Sequence, residues 1–173
     1  LINSHNNPSG VVYNGATIAR LAEILQKYSA RFGAPVYLIS DEPYRELVYD
    51  KETVVPCVMN YYDNSVICYS YSKSLSLPGE RIGYVYVPRQ AADSAELYAA
   101  VAGAARAMGH VCAPALWQKV IARCAQLRPD LDAYDRNRRA LYEGLTALGY
   151  ETAKPDGAFY LFVKAPGGDA VAF

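Results

Sequence analysis

A helical repeat framed by two strand-like runs opens this sequence. Between Gly15 and Gly33, Ile18, Leu21, Leu25, Tyr28 and Phe32 recur at three- and four-residue spacing, which lines one face of a helix with apolar side chains. Before it, Leu1-Ile2-Asn3 reads as the end of a strand, and the polar run from Ser4 to Gly10, containing Asn7-Pro8-Ser9-Gly10, reads as a loop or turn. After it, Val36-Tyr37-Leu38-Ile39-Ser40 is a short continuous apolar run, as expected of a strand covered on both faces. Strand, helix, strand in that order is a βαβ unit, so the two strands are expected to be parallel and their crossover right-handed.

Residues 41–64 are irregular, with Pro43 and Pro56, and lead to a third strand over 65–70. A fourth follows over 82–87. Only residues 71–81 separate them, fewer than the dozen or so a parallel crossover needs, so the fourth strand is expected to run antiparallel to the third. The ends of strands one to three and the start of strand four then open on one edge of the sheet, where ligands sit in open α/β folds. Helices are expected over about 91–109 and 113–126, and a longer one opens near Pro129 with Tyr134, Arg138, Leu141, Leu145 and Leu148 on one stripe, ending at Gly149. Residues 150–153 and 158–163 read as two strands joined through the turn Pro155-Asp156-Gly157. The fold class is therefore α/β, a three-layer αβα arrangement with a mostly parallel sheet over 1–127. A connecting helix and the start of a small α+β C-terminal domain occupy 128–173.

Composition narrows the function classes. The 173 residues carry 17 basic and 17 acidic side chains, a balance with no electrostatic footprint for nucleic acid or an anionic membrane, so small-molecule partners are expected. No apolar run approaches the roughly 20 residues that cross a bilayer, and no basic region precedes an apolar stretch at the start, so the expected compartment is the cytoplasm. Cys57, Cys68, Cys112 and Cys124 form no C-x-x-C pair, which argues against metal and disulfide roles and reads as buried small hydrophobes. His5 and His110 are expected to be structural or solvated. The start without Met and the stop at Ala172-Phe173 suggest a fragment.

Four polar clusters fall on the shared sheet edge: Asn7, then Asp41 with Tyr44, then Ser70 and Ser72 with Lys73, then Arg81. Singly, each is ordinary: a lysine between serines is a solvated loop, an Asp after a strand is a cap, Asn-Pro-Ser-Gly is a turn. Together they form the complement of pyridoxal 5′-phosphate, which presents an aldehyde, a ring nitrogen that works best protonated, a phenolate oxygen and a phosphate. Lys73 would hold the aldehyde as an imine, its pKa lowered by nearby Arg81 and partial burial. Asp41 would keep the pyridine nitrogen charged, Tyr44 and Asn7 would donate to the ring oxygen, and Arg81 with Ser70 and Ser72 would cup the phosphate. Catalytic roles thus fall to Lys73, Asp41 and Tyr44.

These residues also carry a family likeness. Asn7-Pro8-Ser9-Gly10 resembles an N-P-[ST]-G element, and Asp41-Glu42-Pro43-Tyr44 resembles a D-E-x-Y element. Ser70-Tyr71-Ser72-Lys73 with Gly79-Glu80-Arg81-Ile82-Gly83 is similar to S-x-S-K followed by G-x-R-x-G. All three belong to the fold-type I, aspartate aminotransferase-like class I/II aminotransferases, and Pro155-x-Gly157-x-Phe159-Tyr160 resembles the start of that family's small domain. The resemblance implies transfer of an amino group between an amino acid and a 2-keto acid, with Lys73 shuttling the proton, in a homodimer with sites at the subunit interface. It also implies a cis Asn7–Pro8 bond. The family's phosphate-loop and substrate-arginine segments have no counterpart here, with Arg106, Arg123 and Arg138 reading as solvated, so the isolated chain is expected to be inactive. The same motifs serve C-S lyases of the cystathionine β-lyase type, aminocyclopropane-carboxylate synthase-like enzymes, and aminotransferase-like domains of transcription regulators. Of the 16 tyrosines, Tyr13 and Tyr71 are the two whose loop positions put them near the cofactor edge.

Overall fold

The computed structural model describes residues 1–173. Its sheet has four strands, β1 (Ile2–Asn3), β2 (Leu38–Asp41), β3 (Ser65–Ser70) and β4 (Gly83–Tyr86), in the order β1-β2-β3-β4. The first three are parallel and β4 runs against β3, as the short connection requires. That connection holds one helical turn, α2 (Tyr71–Ser74), and a 3-10 turn at Pro78–Glu80. At Gly83 the neighbouring strand comes so close that a Cβ would overlap the Tyr69 carbonyl oxygen. Register sets Asn3, Asp41, Cys68 and Val85 side by side across the sheet.

Helix α1 (Gly15–Phe32) starts where the Asn14 side chain accepts the Thr17 N–H at 2.9 Å and stops at Gly33, whose φ of 64° reverses the chain. Its buried face places Ile18 and Ala22 against Leu38, Val58, Tyr62 and Ile67. The Tyr62 hydroxyl ties the end of the helix to the approach to β2, donating to the Val36 carbonyl at 2.6 Å and meeting Ser29 Oγ at 3.2 Å. Phe32, expected on the buried stripe, is 63% exposed. Length explains it: an 18-residue helix spans ~27 Å and a four-residue strand ~13 Å, so the last helical turn overhangs the sheet.

The burial of Val36–Ser40 on both faces is not found. Leu38 and Ser40 are buried, whereas Ile39 between them is 40% exposed, because α1 covers one face and the other is open. Strand β4 is exposed along its whole length. The remaining helices are α3 (Ser94–Ala107), α4 (Ala115–Cys124) and α5 (Leu131–Ala147). Asp93, at a φ of 49°, delays the start of α3 beyond Ala91, and Asp130 caps α5 by accepting the Ala133 N–H. No helix is long and apolar enough to cross a membrane. The cysteines differ from expectation: Cys57, Cys68 and Cys124 are half-buried and Cys112 is exposed, so none serves as a fully buried hydrophobe.

Past Gly149 the two expected strands reduce to a single bridge between Thr152 and Val163. A lone two-stranded ribbon has little stability, and Ala158, at a φ of 57°, breaks the extended run. The segment pairs instead with the loop after β2, through a Val48–Gly157 bridge and an Ala158 N–H bond to the Leu47 carbonyl at 2.9 Å. A second core forms there from Tyr44, Leu47 and Ala158, with Leu131, Tyr134 and Tyr160 packed against it. Arg138 belongs to this layer rather than to solvent. Its side chain is 12% exposed, bonded to Asp135 at 2.8 Å and to the Pro155 carbonyl at 3.3 Å, with the guanidinium over the Tyr49 ring.

The Asn7–Pro8 peptide is cis, as the resemblance implied. The Gly10 carbonyl, just beyond it, accepts two N–H bonds at 3.0 Å, from Asp156 and from Gly157. Beneath them His5 is fully buried, and a Cβ on Gly157 would overlap its ring and the Leu47 carbonyl. Gly157→Ala should therefore destabilise the protein by about 1–3 kcal/mol through overpacking, measured as a lower urea midpoint at constant slope. An unchanged midpoint would contradict this packing.

Candidate active site

The polar residues at the sheet edge are held by short local rules. Asp41 ends β2 next to Asn3 of β1, whose amide donates to the Asp41 carbonyl at 3.0 Å and to its carboxylate at 3.3 Å. The Asn3 side-chain oxygen accepts the Asn7 N–H at 2.8 Å. Asn3 therefore fixes the Asn7 loop to the acid, a role with no motif to announce it. Desolvation, and then the neighbouring Glu42 charge, push the Asp41 carboxyl above the usual carboxylate range. Glu42 itself is buried but satisfied, accepting from Ser40 at 2.8 Å and from Arg45 at 2.7 Å. Asp41 is the acid in this group without a cationic partner in the structure.

Tyr44 follows Asp41 by three residues and is buried. Its hydroxyl meets that of Tyr160 at 2.6 Å, and its ring is met edge-on by Phe159 and Tyr160 at 5.6 and 5.5 Å. Burial is the largest cause raising its pKa far above that of an ordinary phenol, with the Tyr160 hydrogen bond adding to it and one from the Asn7 side chain opposing it. Tyr44 is thus a protonated donor at neutral pH, within reach of both Asn7 and Asp41.

Lys73 sits in α2, whose N-cap is Ser70: the Ser70 oxygen accepts the Ser72 N–H at 3.2 Å, and its hydroxyl bonds Ser72 Oγ at 2.7 Å. The Lys73 Nζ lies 5.4 Å from the centroid of the Phe159 ring. Phe159 is thus a neighbour common to Lys73 and Tyr44. A hollow of about 380 Å³ opens at the ends of β2 and β3 and along β4, lined by Asp41, Cys68, Tyr69, Ser70, Gly83, Tyr84 and Val85.

The structure brings Asp41 and Ser70 to one hollow, and Asn7, Tyr44 and Lys73 to one aromatic cluster that Asp41 adjoins. It does not bring Arg81 to either group. That side chain is exposed, on a backbone with φ of 50°, and donates to the Pro78 carbonyl at 2.9 Å. Tyr13, expected near the edge, packs against the α1 core instead, and Tyr71 meets Tyr69 edge-on at 5.1 Å. The aromatic side chains that reach the site are Tyr69 and Tyr84 at the hollow, and Phe159 and Tyr160 in the cluster. The last two lie inside the Pro155-x-Gly157-x-Phe159-Tyr160 pattern, which marks them in the sequence without showing what they touch.

An acid at a hollow, with an amine, a buried phenol and an amide in the adjoining aromatic cluster, is a donor set that suits an aromatic aldehyde bearing a basic ring nitrogen. Comparison with known proteins gives the family. The sequence profile described as "Aminotransferase class I and II" matches residues 1–173. The chain is 31% identical to an aspartate aminotransferase of Thermotoga maritima over 98% of its own length and 42% of that protein's. It is 30% identical to an aspartate/prephenate aminotransferase of Thermus thermophilus, over 94% of its own length and 41% of that protein's. Among solved structures, an amino transferase from Eubacterium rectale superposes with a TM-score of 0.94 at 60% identity, covering 99% of this chain and 43% of the other. The chain spans about two fifths of the length of the relatives it matches.

Proposed function

Because the chain belongs to the aminotransferase class I and II family, we propose that it forms the cofactor-holding part of an enzyme that moves an amino group between an amino acid and a 2-keto acid. One observation carries the reading: Tyr44 and Lys73, from separate stretches of sequence, meet on Phe159 at the carboxyl edge of the sheet, with Asn7 and Asp41 neighbouring Tyr44. The donor set fits pyridoxal 5′-phosphate, and the partly desolvated Asp41, which has no cationic partner, is its clearest mark, since such an acid would be satisfied by a protonated ring nitrogen.

When bound, the cofactor supplies an aldehyde for amines and a cationic ring that draws electrons from a substrate Cα. Lys73 is the amine that would hold the aldehyde, and its Nζ is the base that would carry the Cα proton. Asp41 holds the ring-nitrogen proton. Tyr44 and Asn7 donate to the ring oxygen and fix the plane of the ring. Ser70 and Ser72 offer hydroxyls to the phosphate, and Arg81 joins them by exchanging the Pro78 carbonyl for a phosphate oxygen.

The proposal extends to a division near residue 127, to the cytoplasm, and to a homodimer. Supporting the dimer, α3 buries none of its residues, and Tyr98 and Leu116 are 66% and 68% exposed. The assignment is tested by loading the complete protein with pyridoxal 5′-phosphate, reducing it with borohydride and mapping the modified peptide by mass spectrometry. The expected adduct is on Lys73; an adduct on another lysine, or none, refutes the reading.

A further inference from the structure

We propose that Tyr160 is a positioning residue for the cofactor: its hydroxyl donates to the Tyr44 oxygen and so strengthens the proton that Tyr44 offers to the cofactor's ring oxygen. The inference rests on the cofactor site proposed above and adds a residue that none of the recognised site motifs assigns to it.

The argument is one of counting hydrogen-bond capacity. A phenol has one hydrogen and two lone pairs. Tyr160 stands 2.6 Å from the Tyr44 oxygen, and the Asn7 side chain neighbours the same hydroxyl. Without a ligand the Tyr44 hydrogen can serve Tyr160; once Tyr44 gives it to the ring oxygen, that bond turns round and both neighbours must donate to Tyr44. Tyr160 can, because Tyr44 is the one hydrogen-bond partner its hydroxyl has. The pair is also fixed in place. The two rings meet at 86°, Phe159 meets Tyr44 at 87°, and Tyr134 stacks on Phe159 at 5.8 Å. A donor that itself accepts a hydrogen bond is polarised and donates more strongly.

The sign of the effect follows. The ring oxygen bears its most localised negative charge once the cofactor–Lys73 linkage has lost its proton, so a stronger donor there lowers the pKa of the linkage. The charged and titratable groups facing Tyr44 are Asp41 from β2, Tyr160 and Tyr134 around it, and Lys73 on the Phe159 ring; Tyr160→Phe leaves all but one hydroxyl of that set unchanged.

The test uses the complete protein loaded with pyridoxal 5′-phosphate, following visible absorbance against pH in wild type, Y160F, Y44F, the double variant and K73A. Y160F is expected to raise the apparent pKa of the linkage by about half a unit to one unit, and to have no further effect in the Y44F background. A shift of the same size with Tyr44 absent, or no shift in Y160F, overturns the proposal. If wild type shows no visible band that K73A abolishes, the cofactor reading itself fails and the role of Tyr160 falls with it.

Discussion

Lys73→Ala in the complete protein should lower kcat for amino transfer by roughly three to four orders of magnitude, the range in which a positioned acid–base group acts. On the proposed role two tasks would be lost together: the amine that holds the aldehyde and the base that moves the Cα proton. The substitution should leave the fold intact, because Lys73 is half-buried and its contact in the structure is the face of Phe159. A weak cation–π contact is worth about 0.5–1 kcal/mol at such a site, too little to unfold a domain. Steady-state kinetics with a thermal melt as control decide the matter: a kcat within tenfold of wild type, in a folded variant, would remove Lys73 from the mechanism.

Asp41→Asn is the second large effect, and it should act in opposite directions on activity and on stability. A hydrogen bond to a charged group contributes about 1.5–3 kcal/mol, so losing it from the ring nitrogen should cost roughly 10- to 150-fold in kcat/KM. Without cofactor the carboxylate is a burden. Its folded-state pKa lies above the unfolded value, chiefly through desolvation and then through Glu42, so the folded state holds the proton more tightly. Stability from this group is then present at low pH and lost as pH rises through the carboxylate range. Above that range the cofactor-free Asp41→Asn variant should melt higher than wild type, and the gap should close on acidification. A cofactor-free variant that melts lower at neutral pH would show that Asp41 is not held against its own charge.

The sequence made the sheet legible because its signals are local. Three- and four-residue spacing in 15–33 marked α1, and the brevity of 71–81 forced β4 to run antiparallel. Those two facts alone bring Asp41, Ser70 and the Asn7 loop to one edge. What stayed hidden are contacts between residues with no shared periodicity. Tyr44 and Tyr160 lie 116 positions apart, and nothing in either neighbourhood signals a bond between their hydroxyls. Asn3 reads as a strand residue, yet it links the acid to the Asn7 loop. Arg138 shares a helical stripe with leucines, which could not reveal that it stacks on Tyr49 from a distant loop. The failed strands past Gly149 have the same origin: alternation was present, but a ribbon also needs a neighbour to pair with.

The doubly bonded Gly10 carbonyl gives the molecule a mechanical property. A single oxygen anchors the backbone at Asp156 and Gly157 to the loop that presents Asn7, and one residue further on Ala158 is tethered to Leu47. The stretch carrying Phe159 and Tyr160 is consequently geared to both walls of the cavity. Any tilt of the portion beyond α5 would load the bonds at Gly10 and Leu47 before it could part Phe159 and Tyr160 from the loops that carry Asn7 and Tyr44.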